Sequence, residues 1–411
     1  MNVNLAFFLA WRSLGRNPRR SIVSVAAISL GLSLCMLMIA FADGVYQRTI
    51  NNAVAEQAGH LVLQHPNYTL QPGVDLAVNL STADMQAIKQ LSSVDNVHTL
   101  VLANTLVRSS YSARNGSIYG VDPNQGLNSI IAKKVNQGRY LDNSNPQQIV
   151  ISDKLARHLK TKLKQHLVLV ANDAHGNTVE ALFSIVGIFP QSMDGVDGHI
   201  VHMPLVAAQA MLGLEPQQFT RVGILLRNPS DMSNVQAQLQ WLNLPQRGLL
   251  TWQQVLPALA DYIRTDRFSM LVFNGLFVLL VLATIFNTIL MSVLERRHEF
   301  STIMALGTPP SLLRLQVLIE GILLALLGCG LGTLLGLIMI WPLYHFGIDM
   351  SALFPDGIST SGVSIDTQVY GYISLSSAVN LITGVFIATC SMTLWPMYKA
   401  TRIPLTQGNS A

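Results

Sequence analysis

The residues that could carry out chemistry are few, and their spacing matches no familiar catalytic signature. His199 and His202 stand three residues apart, but no carboxylate motif that would complete a zinc site accompanies them. The sequence contains no Gly-x-Ser-x-Gly elbow and no His-Glu-x-x-His motif. It also lacks Gly-Lys-Ser and Gly-Lys-Thr, so it has no phosphate-binding loop for ATP hydrolysis. We therefore expect no enzyme activity, no metal site and no cofactor bound by this chain.

A short charged segment between two apolar runs is the feature around which the chain is organised. Residues 295–299 read Glu-Arg-Arg-His-Glu, and an amphipathic segment continues to residue 307. Apolar runs flank it on both sides, at 268–294 and 315–343. A charged segment this short between two spans must lie at a membrane face, and its arginines place that face in the cytoplasm.

The composition indicates a membrane protein with a large polar part. Of 411 residues, 50% are hydrophobic and only 12% are charged, against about 25% charged in soluble domains. The net charge of +4 comes largely from residues that flank the apolar runs, so it does not indicate nucleic-acid binding. The three cysteines, Cys35, Cys329 and Cys390, lie inside apolar runs and imply no disulfide framework.

Four runs are long enough to cross a bilayer: 21–42, 268–294, 315–343 and 371–398. Residues 1–20 before them resemble an interfacial helix with an arginine face. A cleaved signal peptide is the alternative for the first run, but 22 uncharged residues exceed the usual apolar core of such a peptide.

The arginines and lysines fix the expected orientation. In the segments that flank the spans outside the large polar region, they lie before the first run, in the loop at 295–314 and in the tail at 399–411, whereas the loop at 344–370 contains acids but neither lysine nor arginine. The positive-inside rule then places both termini and the 295–314 loop in the cytoplasm. Residues 43–267 and the 344–370 loop should be outside.

The region 43–267 should be a large α+β domain inserted between the first two membrane helices. Alternating patterns predict strands near residues 59–65 and 97–107, and a hairpin at 167–188 that turns at 174–177. A polar stalk should continue the first span, and a second stalk should run over 252–268. Turn residues delimit an inserted lobe at about 126–198.

Two features of the third span have alternative explanations. Gly328, Gly332 and Gly336 recur every fourth residue, which allows close helix approach either within the chain or across a dimer seam. Glu320 is an acid near the cytoplasmic end of the span. It could serve function or simply stabilise the structure.

These motifs together resemble the FtsX-like permease domain. The match comprises Glu-Arg-Arg-His-Glu-Phe-Ser-Thr-Ile-Met-Ala-Leu-Gly at 295–307, Glu-Gly at 320–321, Trp-Pro through Ile-Pro-Leu at 395–405, and Trp-Arg-Ser-Leu through Arg-Arg at 11–20. Phe300-Ser301 stands where the family usually has Ile-Gly. The order of one span, a large outer domain and three spans is also the same.

The resemblance implies a mechanotransmission ABC transporter permease in a bacterial inner membrane. Two such chains, identical or different, would pair with a cytoplasmic ATPase dimer that binds ATP and magnesium. ATP binding would move the loop at 295–311, and the helices would pass the motion to the periplasmic domain. By position in the motif, the expected ATPase-coupling residues are Glu295, Arg297, Glu299, Phe300, Met304 and Leu306.

Within this family, residues 59–68 and 199–212 look most like the lipoprotein-releasing permeases. That resemblance implies extraction of lipoproteins from the membrane and their transfer to a periplasmic carrier. Acyl chains would contact the outer ends of the first two spans, although each residue there could equally face lipid or pack against a helix. The candidates are Met38, Phe41, Phe268, Met270 and Phe273.

Two other functions remain open at this stage. One is export of peptides or small molecules through a periplasmic adaptor. The other is a non-transporting regulator whose outer domain acts on a cell-wall hydrolase. None of these functions involves nucleic acid, and all of them place the chain among membrane lipids.

Overall fold

The computed structural model describes most of the chain. The described residues are 3–16, 18–123, 132, 135–142, 145–190, 199–242, 247–351, 358–360, 363–365 and 368–399. Parts of the predicted lobe at 126–198 and of the loop at 344–370 lie outside these ranges, as does nearly all of the tail at 399–411.

The α-helices are numbered along the chain. They are α1 Val3–Arg16, α2 Pro18–Ala53, α3 Thr82–Lys89, α4 Asp153–Leu159, α5 Leu205–Met211, α6 Met232–Gln238, α7 Trp252–Val255, α8 Pro257–Glu295, α9 Arg297–Ala305, α10 Pro310–His345 and α11 Leu375–Lys399.

The strands are numbered in the same way. They are β1 Leu61–Gln64, β2 Val78–Asn79, β3 Val94–Arg108, β4 Ala113–Val121, β5 Gln137–Gly138, β6 Gln148–Ser152, β7 His166–Asn172, β8 Thr178–Phe189, β9 Ile200–Pro204, β10 Gln218–Phe219, β11 Arg221–Leu226, β12 Gly248–Thr251, β13 Ile348–Asp349, β14 Ile358–Thr360, β15 Val363–Ile365 and β16 Gln368–Val369.

Four of the described helices, α2, α8, α10 and α11, are long and apolar enough to cross a membrane. They contain the first three apolar runs predicted as spans and most of the fourth. The chain divides into two compact units, a helical unit that contains most of these four helices and a sheet unit formed chiefly by residues 46–264. α2 and α8 have 36 and 39 residues, so both extend beyond the apolar runs seen in the sequence.

The first two helices are separate elements. α1 ends at Arg16 and α2 begins at Pro18, where proline fits because a first-turn N–H needs no partner within the helix. The sequence predicted one interfacial helix over residues 1–20. The prediction is wrong for residues 18–20, which belong to α2. Phe8 and Trp11 of α1 are 58% and 57% exposed, in keeping with an amphipathic helix at a bilayer surface.

The glycines of α10 lie against α2. A Cβ on Gly328 would be 2.6 Å from the Cβ of Ile28, and one on Gly332 would be 3.0 Å from the Cα of Ser29. Gly336 meets α2 in the same way, beside Met36. The absence of side chains lets the two helices touch. The structure thus places this glycine face against a helix of the same chain.

Six strands of the sheet unit close into a ring. The order around it is β3, β4, β9, β6, β8, β7 and back to β3. Two of the pairs, β4 with β9 and β6 with β8, are parallel, and the others are antiparallel. The strands β11, β1 and β12 extend the sheet from the first half of β3.

The predicted hairpin at 167–188 is confirmed as β7 and β8, in which Asn172 pairs with Thr178. The predicted lobe at 126–198 does not stand apart from the rest of the sheet. It supplies β5 to β8, and hydrogen bonds join β7 to β3 and β6 to β9. Two main hydrophobic clusters fill this unit, one around Ile118, Ile149 and Val201, the other around Leu61 and Ile224.

The expected second stalk at 252–268 begins later than the sequence suggests. α7 ends at Val255, and Leu256 leaves the helical conformation with φ −120° and ψ 63°. Residues before proline disfavour the helical region, and Pro257 then opens α8. The single helix expected from residue 252 is therefore two.

Two histidines of the sheet unit are buried. His202 stacks on Tyr119 with ring centroids 5.5 Å apart, and its Nδ1 lies 3.0 Å from the Tyr140 hydroxyl. Burial lowers the pKa of His202 to about 4 and that of His98 to about 3. Neither ring nitrogen of His98 has a hydrogen-bond partner among the described residues. Both rings are therefore neutral at pH 7.

Candidate functional site

The charged segment after α8 folds as a short helix of its own. Arg296 leaves the helical geometry with φ −93° and ψ 9°, and α9 starts at Arg297. Glu299 lies in its first turn, where the helix dipole favours a carboxylate. After the helix, Gly307 adopts a φ of +92°, a conformation that glycine reaches without strain.

One face of α9 is anchored among the apolar helices. Phe300 is 1% exposed and shares a hydrophobic cluster with Val293 of α8 and Leu313 of α10. Met304 packs against the same cluster. The guanidinium carbon of Arg296 lies 5.1 Å from the centre of the Phe300 ring, which adds a cation–π attraction.

Arg296 also links three helices through hydrogen bonds. Its Nη1 donates to Ser13 Oγ of α1 at 2.6 Å and lies 3.5 Å from Glu320 Oε2 of α10. Ser13 Oγ in turn donates to the same Glu320 oxygen at 3.1 Å. The side chains of Arg296 and Glu320 are each 14% exposed. The acid of the third span is thus paired, and its carboxylate holds α1 and the start of α9 together.

Two more ion pairs join the N-terminal helices to this segment. Arg20 of α2 lies 2.9 Å from Glu295 at the end of α8, and Arg16 of α1 pairs with Glu299 of α9. Burial alone would raise the pKa of Glu299, but hydrogen bonds from Arg16 and Arg296 hold that pKa below its usual value. Glu299 is therefore ionised at neutral pH.

Other residues of the 297–306 segment are exposed. Leu306 is 82% exposed, Ile303 is 36% exposed, and Arg297 is also exposed. The six residues expected to couple to an ATPase therefore divide by environment. Phe300 and Met304 pack in the hydrophobic cluster. Glu295 and Glu299 form ion pairs with arginines. Arg297 and Leu306 are exposed.

Sequence reasoning missed the partners of these residues. The hydrogen-bonded set includes Ser13, Arg16 and Arg20, nearly 300 positions away from α9. One signal was available: arginines precede the first span and acids follow the second, so opposite charges reach the same membrane face.

The five residues proposed to contact cargo occupy different environments. Met38 and Phe41 of α2 are half-buried, as is Met270 of α8. Phe268 and Phe273 are 67% and 58% exposed. The two phenylalanines therefore present apolar surface, and the methionines and Phe41 are partly packed.

The two histidines considered as zinc ligands have separate surroundings. His202 is buried beside Tyr140, whereas His199 is half-exposed and its Nε2 lies 2.9 Å from Nδ1 of His158. His199 Nδ1 is 2.9 Å from the carbonyl oxygen of Asn115, to which it can donate. Each ring is thus engaged with a different neighbour. Within the described residues no group of three or more potential ligands is found.

Comparison with known proteins covers both units. Residues 21–241 match the MacB-like periplasmic core domain, and residues 271–405 match the FtsX-like permease C-terminal region. The lipoprotein-releasing system transmembrane protein LolE of Haemophilus influenzae is 22% identical over 84% of this chain and 84% of its own length. The lipoprotein-releasing system transmembrane protein LolC of Buchnera aphidicola is 21% identical over 92% of this chain and 90% of its own length.

A third relative is longer than this chain. The macrolide export ATP-binding/permease protein MacB of Bartonella quintana is 23% identical over 81% of this chain. The aligned part covers only 51% of that relative.

Proposed function

This chain is an ABC transporter permease of the FtsX-like family with a MacB-like periplasmic core domain, and from that premise we propose that it extracts lipoproteins from a bacterial inner membrane. It has no ATPase motif of its own. In the proposed complex, a cytoplasmic ATPase dimer binds ATP and magnesium and a second permease chain completes the membrane part. Both termini are cytoplasmic, and the sheet unit is periplasmic.

The observation that carries this proposal is that the α9 segment is anchored in the helical unit by some residues and exposed at others. Arg297 at its start and Leu306 just after its end are exposed and available to the ATPase. Its inner side is fixed by Phe300 and Met304 in the apolar cluster and by the bond between Arg296 and Glu320. A push on α9 therefore acts on α1 and α10 together, because a buried charge pair is costly to separate.

Helix length supports transmission across the bilayer. At 1.5 Å per residue, α2 and α8 are roughly 54 and 58 Å long, and the hydrocarbon core is about 30 Å thick. Helices of that length can shift as rigid rods. In the proposed cycle this shift carries ATP-driven motion to the periplasmic side, as expected of a mechanotransmission permease.

The relatives support a lipoprotein as cargo. LolE and LolC, which their names assign to lipoprotein release, align along 84% and 90% of their own lengths. Acyl chains would enter between the outer ends of α2 and α8, against Phe268 and Phe273, whose exposed rings suit an apolar ligand. Met38, Phe41 and Met270 would line the inner part. A periplasmic carrier would then accept the lipoprotein.

Export of a small molecule or peptide is the second candidate. MacB is named for macrolide export, and the aligned 51% of it is 23% identical to this chain, about as similar as the lipoprotein-releasing proteins are. The two functions share the ATPase contact on α9 and differ in their cargo.

The ATPase contact is tested by affinity purification of the tagged full-length chain with the ATPase that accompanies it. Leu306→Ala should weaken that association by roughly fivefold to tenfold, since about 0.8 kcal/mol is lost for each methylene-sized group that is no longer buried at the contact. Leu70→Ala is the matched control, because Leu70 is also 82% exposed but belongs to the sheet unit. Absence of any ATPase, or equal loss in both variants, would refute the contact.

Cargo is tested by depletion of the protein in cells. Lipoproteins should then accumulate in the inner membrane, as measured by fractionation and immunoblotting. Normal lipoprotein sorting with increased macrolide sensitivity would instead favour export.

A further inference from the structure

The outer side of α1 carries aromatic and cationic side chains next to one another. Ala10 is fully buried and Leu14 packs against the hydrophobic cluster of the helical unit, so these two residues, four apart, mark the inner side of the helix. Phe8 and Trp11 are 58% and 57% exposed, and Arg12, four residues after Phe8, is also exposed. The outer side of α1 is therefore apolar along one edge and positively charged along the other.

The neighbouring spans show that α1 lies where the bilayer begins. Ile22 and Val23, three and four residues after Arg19 in α2, are 64% and 57% exposed, and lipid covers such apolar surface on a membrane helix. Ser13 of α1 donates to Glu320 near the start of the third span, at 3.1 Å. A helix at this level with phenylalanine and tryptophan on its outer side is typical of one that lies in the membrane interface.

The acids at this end of the helical unit are already engaged with arginines. The pairs are Glu295 with Arg20, Glu299 with Arg16, and Glu320 with Arg296. Residues 1–20 and 399–411 contain no aspartate or glutamate. Arg12 and Arg19 are exposed and form no ion pair with any residue that the structure describes. Their charges are therefore available to an anion from outside the chain.

An anionic phospholipid offers both kinds of contact that α1 needs. Its phosphate accepts the forked hydrogen bonds of a guanidinium, and its acyl chains cover apolar rings at the same level. A soluble anion would satisfy Arg12 but would leave Phe8 and Trp11 in water. In the proposed orientation this surface is the cytoplasmic leaflet, whose anionic lipids attract arginines close to it.

We propose that α1 and the first turn of α2 bind the anionic phospholipid surface of the membrane. Arg12 and Arg19 contact the phosphates, and Phe8 and Trp11 lie at the boundary between headgroups and acyl chains. The proposal needs only that the four long helices cross a bilayer. It is independent of the cargo and goes beyond the proposed function.

The test measures which lipid lies beside Trp11. The full-length permease is reconstituted in nanodiscs of equal parts phosphatidylglycerol and phosphatidylcholine, and one lipid or the other carries brominated acyl chains that quench nearby tryptophan fluorescence. The signal of Trp11 is the difference between the protein and its Trp11→Phe variant. We expect Trp11 to be quenched and to prefer phosphatidylglycerol by roughly fivefold or more, since each arginine near an anionic surface contributes about that factor.

Two double variants complete the test. Arg12→Gln with Arg19→Gln should abolish most of the preference for phosphatidylglycerol. Arg114→Gln with Arg227→Gln is the matched control, because it removes the same charge from two exposed arginines of the sheet unit, and it should leave the preference unchanged. Salt at about 1 M should reduce the preference, since the screening length is then roughly 3 Å. Absence of any preference in the unchanged protein, or equal loss in both double variants, overturns the proposal.

The remaining outcomes separate lipid from other occupants. Loss of the preference in excess inorganic phosphate would indicate a simple anion site and overturn the proposal, as would an unquenched Trp11. Protection of Trp11 from the brominated chains by added ATPase, or by a second permease copy in the nanodisc, would show a protein on this surface and also overturn it. If the lipid preference is found but no ATPase accompanies the chain, the proposed function fails while the lipid-binding surface stands.

Discussion

Buried polar groups occur in both units of this protein, and one set from each unit differs in its partners. In the helical unit, Arg296 and Glu320 are mostly buried and are bonded to one another and to Ser13. In the sheet unit, His98 and His202 are buried as neutral rings. A charged pair can tie helices together but depends on both partners. A neutral ring needs no counter-ion, but it resists protonation.

The largest effect is expected when one member of the Arg296–Glu320 pair is removed. Arg296→Met leaves the Glu320 carboxylate without its cation and should destabilise the protein by about 3–5 kcal/mol. Coupled ATP hydrolysis should fall with it. Thermal unfolding of the complex in nanodiscs and its ATPase rate measure the two effects.

The double variant Arg296→Met with Glu320→Gln is the control for this prediction. It removes the unpaired charge and should recover most of the lost stability, although not the coupling. Equal stability of the single and double variants would show that an unpaired Glu320 carboxylate costs little at this site, which would contradict the prediction.

Acid should act mainly on the sheet unit. The folded-state pKa of His202 is about 4, below the ordinary value of 6.5, so below pH 6.5 the unfolded chain binds more protons. Stability from His202 is therefore complete above pH 6.5 and falls by about 3 kcal/mol as the pH drops to 4. His98, with a pKa of about 3, adds a loss that also begins near pH 6.5 and continues to pH 3.

Calorimetry of the full-length protein between pH 7.5 and 4 measures this loss in the transition of the sheet unit. His202→Gln removes one titrating group and should flatten the pH dependence, even where it lowers stability at pH 7.5. An unchanged slope in this variant would contradict the role assigned to His202.

The smallest effect is expected from the exposed pair of Arg16 and Glu299. The two side chains are 56% and 43% exposed, so solvent screens them and their coupling should be about 0.2–1 kcal/mol. A double-mutant cycle with Arg16→Ala and Glu299→Ala measures the coupling at low and at high salt. A coupling that survives 1 M salt, where the screening length is roughly 3 Å, would place this pair with the buried network.

Part of this arrangement could be predicted from the sequence, because local patterns determine it. Apolar runs of sufficient length predicted the four membrane helices. The short turn between β7 and β8 was visible in the residues at 174–177, and Asp173 caps it by accepting bonds from the backbone of His175 and Asn177.

Long-range contacts could not be predicted in this way. The ring closes where Leu106 meets Val170, and no local pattern in either strand specifies that register. The buried face of α9 could be predicted from the sequence, since Phe300 and Met304 are four residues apart and share a helix face. Its pairing with Arg16 depends on the fold bringing distant helices together.

The closed ring of six strands has a mechanical consequence. A flat sheet can be peeled from an edge, one hydrogen bond after another, but a strand inside a closed hoop is bonded on both sides. A force applied to β3 is then shared by its hydrogen bonds to β4 and to β7, and both sets must break before β3 can separate. The domain is suited to deliver a load as a stiff body instead of absorbing it by unravelling.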